Sequence, residues 1–242
     1  MSTPTSLAEK PSKSVPPLGA AAGLAALVAL SVLAIVIGLR GDDALTDSPI
    51  RGSGVPAVEE RQVPAFTAVD LQGANDVKVR VGEAQSVTVA ADDNLVGVVT
   101  TDVRDGVLVI ASTTDEFSTV SPMSVDLTVP DLREITLSGS GKIAVRDIRR
   151  RELVVSLAGD GSIEAVGAVT RLRASLTGTG NLDLDALTAD QVEATLSGTG
   201  EIRVHATESL DGEVSGVGRI AYGGNPPNVT RTVDGVGAVT GR

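Results

Sequence analysis

A glycine motif of the form Gly-x-Gly occurs six times in the second half of the chain and is the first candidate for chemistry. The copies are LSGSGKIAV (137–145), LAGDGSIEA (157–165), LTGTGNLDL (176–184), LSGTGEIRV (196–204), VSGVGRIAY (214–222) and VDGVGAVTG (233–241). A phosphate-binding loop needs only one copy, placed between a strand and a helix. Calcium-binding β-rolls use a shorter, nine-residue repeat with an aspartate after the glycines. Because the residues after these glycines alternate as in a strand, we expect neither type of site.

Charged residues beside the glycines are the second candidate. Glu164 and Asp183 occupy equivalent positions in neighbouring copies, and Arg203 follows in the next copy. Carbohydrate-active β-helices gather such groups on one outer face, although mixed charge on a solvated surface gives the same pattern. The chain has no cysteine and one histidine, His205, so thiolate sites and multi-histidine metal sites are excluded. We therefore expect no catalytic residue, no cofactor and no metal, with a glycan-active enzyme as an alternative.

Arginines are the third candidate, as a basic stripe on the surface. Its residues would be Arg133, Arg149, Arg150, Arg151, Arg171 and Arg173, which the repeat spacing brings near one another. A charged loop that keeps the protein soluble explains the same residues. The formal net charge of −11 argues against a nucleic-acid partner, because such proteins carry a basic footprint.

The spacing of the glycines indicates the architecture. The first glycines of successive copies are 20, 19, 20, 18 and 19 residues apart, which is typical of a solenoid. The flanking residues alternate with the period of a strand. We predict an all-β fold: a single-stranded parallel β-helix (solenoid) of about 19 residues per coil, with one strand pair per coil bent at Gly-x-Gly. The predicted corner glycines, which allow positive φ and close approach of coils, are Gly139, Gly141, Gly159, Gly161, Gly178, Gly180, Gly198, Gly200, Gly216, Gly218, Gly235 and Gly237.

Aligning the copies produces columns of aliphatic residues. Leu157, Leu176 and Leu196 share one column, and Ile163, Leu182 and Ile202 share another. In a solenoid such residues stack about 4.8 Å apart and fill the interior. This suits a chain whose three aromatic residues cannot supply a bulky core.

Residues 63–132 are rich in strand patterns but less regular. Residues 69–81 resemble an isolated coil with Gly73 at its corner, and Asp105-Gly106 is a strong hairpin signal. We expect antiparallel strands here that cap the first coil, since an open coil end is an exposed sheet edge.

The first 62 residues have a different composition. Residues 1–17 indicate a disordered cytoplasmic tail, and residues 18–39 contain no charge and are long enough to cross a bilayer. We expect an uncleaved signal anchor, with a cleaved signal peptide or a buried helix as alternatives. Lys10 and Lys13 place the N-terminus in the cytoplasm. Residues 40–62 are predicted to be a linker, and residues 63–242 an extracytoplasmic β-helix domain.

Several short motifs resemble a known family. They are F-x-A-V-D-L-x-G (66–73), D-D-N-L (92–95), D-G-x-L (105–108), the repeated S-G-x-G units and the final A-Y-G-G-x-P. In this order they look like the auto-transporter adhesin "head GIN" family over residues 63–242. The resemblance implies a β-helix-like domain exported to the bacterial cell envelope, and it provides no catalytic residues.

Together these features predict a membrane-anchored binding module or envelope scaffold without chemistry of its own. The expected partners are the membrane, through residues 18–39, and a cell-wall glycan or an envelope protein. The alternatives are a sensory or regulatory ectodomain and a glycan-active enzyme. Nothing in the sequence supports a homo-oligomer.

Overall fold

The structure is a computed structural model that describes residues 49–242. The expected tail (1–17), the expected membrane anchor (18–39) and the start of the expected linker lie outside these residues. Within the described part, no helix has the length and apolar character needed to cross a membrane.

All regular structure in the described residues is β-strand. The strands are β1 (Ile50–Arg51), β2 (Pro56–Glu60), β3 (Ala68–Leu71), β4 (Asp76–Val81), β5 (Ser86–Asp92), β6 (Val99–Arg104), β7 (Val107–Ser112), β8 (Phe117–Ser118), β9 (Ser124–Val129), β10 (Glu134–Leu137), β11 (Lys142–Leu157), β12 (Asp160–Leu176), β13 (Thr179–Leu196), β14 (Thr199–Val214), β15 (Val217–Gly223), β16 (Asn228–Val233) and β17 (Val236–Gly241).

Strands β10 to β17 wind as a parallel solenoid, and the solenoid has about five turns. Leu157 lies opposite Leu176, and Leu176 lies opposite Leu196. The second ladder consists of Ile163, Leu182 and Ile202. These six side chains are at most 1% exposed. The predicted solenoid and its two aliphatic ladders are therefore confirmed.

The two glycines of a corner meet different constraints. A Cβ atom on Gly198 would lie 2.0 Å from the carbonyl oxygen of Gly178 in the coil beneath, so the first position needs space. Gly200 has φ +145°, and a Cβ there would lie 1.8 Å from the oxygen of Gly180. The second position therefore needs both space and a backbone conformation that favours glycine.

Each coil also has a short third side. The predicted coil, with one strand pair, has only two sides. The register shifts between Val145 and Ile148, and again between Glu164 and Gly167. Each register shift marks a second corner of the coil. Beyond this corner, Ile148, Leu187 and other aliphatic side chains point inward and are buried. The run is short and varies in length between coils, so it produces no clear column in the sequence.

The predicted isolated coil at residues 69–81 belongs to the solenoid. Strand β3 pairs in parallel with β10, and β4 pairs in parallel with β11. On their other side, β3 pairs in parallel with β7, and β4 with β9. Residues 107–129 thus form a further coil. The coil formed by β3 and β4, which comes earlier in the chain, lies between this further coil and the repeats. This order leaves no repeat signal in the sequence, because no Gly-x-Gly corner joins β7 to β9.

Antiparallel strands flank the coil at residues 107–129. Strand β5 pairs with β9 and β2, and β6 pairs with β7, all antiparallel. Strands β1 and β2 lie within residues 49–62, the described part of the segment predicted to be a linker. Strand β2 occupies the edge of β5 that would otherwise be open.

Asp92 is a buried carboxylate that joins three segments of this cap. Its oxygens accept hydrogen bonds from the N–H groups of Val120, at 2.8 Å, and Ser121, at 3.1 Å. A Cβ on Gly52 would lie 1.9 Å from its Oδ2 atom. The hydrogen bond from the Ser121 hydroxyl, together with that from the Val120 N–H, lowers the pKa of Asp92 although burial opposes the shift.

The opposite end of the solenoid is less protected. Val233 and Val236 are 43% and 75% exposed, and no strand of residues 49–242 covers the outer edge of β16 or β17. Arg231, in a column that is aliphatic in most other coils, lies outside and donates a hydrogen bond to the Tyr222 hydroxyl.

The Gly198→Ala substitution tests the close approach of coils. The new Cβ would collide with the Gly178 backbone, so we expect a loss of about 2–4 kcal/mol in the free energy of unfolding. Gly97→Ala is the matched control, because a Cβ on Gly97 meets no atom within 4 Å. Urea denaturation followed by circular dichroism measures both, and equal small losses would contradict the structural role of the corner.

The Asp92→Asn substitution tests the buried carboxylate. Because the folded-state pKa of Asp92 is lowered, its stabilising effect is fully present above the unfolded-state pKa of about 4 and is lost as the pH falls through the folded-state value. The wild type should therefore exceed the variant in urea midpoint at pH 7, and this difference should shrink below about pH 4. Asp102→Asn, at an exposed position, should show no such trend, and a pH-independent difference for Asp92→Asn would contradict the assignment.

Candidate functional site

The Gly-x-Gly corners use their backbone donors within the fold. The Gly198 N–H donates to the Leu176 carbonyl at 3.0 Å, and the Thr199 N–H donates to the Gly178 carbonyl at 2.9 Å. Equivalent bonds occur at the neighbouring corners. These N–H groups are therefore engaged by the coil beneath and do not form a phosphate cradle.

The outer carboxylates that could have indicated catalysis are neutralised by cations on adjacent coils. Glu164 lies 2.8 Å from Lys142, and Asp183 lies 3.1 Å from Arg203. The register places Glu164 opposite Asp183, as the sequence spacing suggested. Each acid is thus one half of an ion pair between coils.

The pKa shifts of two outer groups agree with ion pairing. The hydrogen bond from Arg219, at 3.0 Å, lowers the pKa of Glu201, and burial partly opposes the shift. The hydrogen bond to Glu164 raises the pKa of Lys142. A general acid in glycan hydrolysis needs a raised carboxyl pKa, whereas the Glu201 shift has the opposite sign.

The six arginines of the expected basic stripe have different surroundings. Arg133 and Arg150 both contact Asp131, and Arg150 also donates to the Leu132 carbonyl at 2.9 Å. Arg173 lies 3.2 Å from Glu193. Arg150, Arg151 and Arg171 line one shallow groove of about 330 Å³ together with Glu152 and Thr170. Arg149 is exposed on β11. The stripe is therefore interrupted by carboxylates.

His205 lies against the turn that ends β15. Added Cβ atoms on Gly223 and Gly224 would lie 3.3 Å and 3.0 Å from its ring atoms, so the imidazole packs against these glycines. Among residues 49–242, no group of three or more His, Cys, Asp or Glu side chains is placed to hold a metal ion.

A groove of about 430 Å³ runs across the four adjacent strands β5, β9, β4 and β11. We call it the β4 groove. Its polar lining consists of Lys78 and Arg80 from β4, Arg146 from β11, Asp126 and Thr128 from β9, and Ser86 and Thr88 from β5. On β4 these outward cations alternate with the buried Val77 and Val79, so the same strand supplies the core and the groove.

The β4 groove concentrates positive charge on an acidic protein. Arg80 lies directly opposite Arg146 in the parallel pair of β4 and β11. Asp147 is 3.8 Å from Arg80, and both side chains are mostly exposed, so this pair has little effect. Asp126 is the acid in the lining, opposite Lys78. Three cations therefore face one carboxylate.

Sequence reasoning did not find the β4 groove. Its residues come from segments up to 68 positions apart in the chain, from Lys78 to Arg146. They meet because β4 lies between β9 and β11. The alternation in DVKVRV (76–81) showed two outward cations on one strand, but nothing local showed which strands would be its neighbours.

Comparisons with known proteins place this fold among bacterial domains. Residues 65–226 match the family described as "putative auto-transporter adhesin, head GIN domain". The structure of a "putative adhesin" from Bacteroides fragilis superposes with a TM-score of 0.69 at 23% identity, covering 80% of this chain and 100% of that chain. A "putative lipid binding protein" from Parabacteroides distasonis superposes with a TM-score of 0.50 at 21% identity, covering 80% and 99%.

At such identities the solved structures show a shared fold only. No curated protein sequence matches the chain. The family match covers most of the chain and agrees with the motifs at residues 66–73, 92–95 and 105–108. The chain therefore belongs to the head GIN domain family of auto-transporter adhesins.

Proposed function

We propose that the protein is a binding module of the cell envelope, held at the membrane by residues 18–39 and without catalytic activity. The observation that carries the proposal is the β4 groove, an open and cationic surface on a rigid solenoid. On the repeats, Glu164, Asp183 and Glu201 are paired with cations on adjacent coils. The β4 groove instead brings three cations together on one open face.

Two further observations support a binding role over catalysis. The outer acids Glu164 and Asp183 are in ion pairs, and the Glu201 pKa is lowered. The structurally similar proteins are described as a putative adhesin and a putative lipid-binding protein. Both descriptions name binding proteins, which agrees with a non-enzymatic role for this chain.

The envelope location rests on the sequence of residues 18–39, whose apolar length fits a bilayer. In a bacterial expression host, the full chain should sediment with membranes and resist washing with alkaline carbonate. Protease added to spheroplasts should digest the solenoid. A chain lacking residues 18–39 should lose membrane association, whereas a mature protein beginning near residue 41 would refute the anchor.

Saturable binding to envelope material tests the proposed function itself. The core cluster extends from Phe66 to Val239, so a fragment of residues 41–242 retains every buried ladder. This fragment, once its cooperative urea unfolding is verified, should co-sediment with cell-envelope fragments. An excess of unlabelled fragment should displace the labelled one. Absence of displaceable binding would contradict a binding role.

A further inference from the structure

The β4 groove contains two arginines that lie side by side. Arg80 and Arg146 are register partners on adjacent parallel strands, and both point outward. Like charges directly opposite each other destabilise a sheet. Glu164 and Asp183 are also like-charged register partners, but each has a cation beside it, Lys142 for Glu164 and Arg203 for Asp183.

From this arginine pair and its position in a concave surface we infer that the β4 groove is a binding site for a phosphate group, either a monoester or a diester. The inference rests on the proposed binding function and specifies its ligand chemistry. A bound anion would remove the repulsion between the two guanidinium groups. Arginine binds phosphate through two parallel N–H donors, so a neighbouring pair can engage several oxygens of one group.

The remaining lining favours a tetrahedral oxyanion. Lys78 adds a third cation, two residues from Arg80 on the same face of β4. Ser86, Thr88 and Thr128 provide hydroxyl donors from the facing strands. Phosphate presents oxygens in several directions, whereas a planar carboxylate is satisfied by one guanidinium. These donors approach from several strands, which suits phosphate better.

Asp126 limits the negative charge of the ligand that the groove can accept. It lies opposite both Lys78 and Thr88 and borders the same cavity. A densely charged polyanion would meet repulsion there. The volume of about 430 Å³ and the single acid fit one phosphate with a small polar substituent. Such a group occurs in phospholipid headgroups and in soluble phosphate esters.

The test uses the full chain in the non-ionic detergent dodecyl maltoside, with three probes. These are inorganic phosphate, glycerol 3-phosphate and the short-chain lipid dihexanoyl-phosphatidylglycerol. Binding is followed by the line width of the probe in ³¹P NMR, since the chain has no tryptophan to report it. Thermal melting in phosphate and in chloride at equal ionic strength gives a second measure. Phosphate should raise the melting temperature and chloride should not.

The test variant is Arg80→Gln with Arg146→Gln. It should weaken binding of at least one probe by about tenfold or more, because two charge-assisted contacts are lost. The matched control is Arg173→Gln with Arg219→Gln, which changes the net charge equally. Both control residues are exposed and paired with glutamates, and their replacement should change binding less than about twofold. Without ligand, the test variant should melt no lower than the wild type.

The outcomes distinguish a lipid from a soluble source of the phosphate group, and they distinguish failure of the phosphate site from failure of the proposed function. Binding of the lipid probe together with glycerol 3-phosphate supports the site and includes phospholipid headgroups as its ligands. Binding of the two soluble probes alone supports the site for soluble phosphates. No binding, or equal loss in both double variants, overturns the phosphate site. If no probe binds but the wild-type 41–242 fragment still binds envelope fragments displaceably, the proposed function stands and the phosphate site falls.

Discussion

The structure depends on the distance between neighbouring coils at the Gly-x-Gly corners. An added Cβ on Gly198 would reach within 2.0 Å of the Gly178 oxygen, so only glycine allows the coils to meet there. This contact fixes the register of the strands on both sides of the corner. Because a strand alternates its faces residue by residue, a shift of one position would turn the aliphatic ladders outward. The glycine corners and the aliphatic ladders therefore favour the same strand register between coils.

The register that stacks leucines inside also stacks charged residues outside. Identical coils would place like charges on top of one another, at a cost in stability. The chain offsets this cost where the sign of the charge changes between coils, as between Glu164 and Lys142 or Asp183 and Arg203. Arg80 opposite Arg146 is a pair of like charges on adjacent coils. This pair lies in a concave part of the surface, where a ligand can contact both side chains at once.

A binding role is consistent with the rigidity of the fold. Side chains on stacked strands are held at fixed spacing by backbone hydrogen bonds, so the β4 groove presents its cations in a preformed arrangement. A preformed site loses little conformational freedom on binding. The antiparallel cap, with the buried Asp92 at its centre, stabilises the end of the solenoid near this groove. The groove thus lies where the repeats give way to the cap.

The sequence by itself determined the repeated part of the fold, the family and the ladders of Leu157 and Ile163, because a coil of about 19 residues is a local pattern. Only the tertiary structure decided that residues 107–129 form a coil beyond residues 68–81. It also decided the burial of Asp92 and the position of Arg80 beside Arg146. The reason is the pairing of strands that are not consecutive, which depends on contacts between distant segments and leaves no periodic signal in the chain.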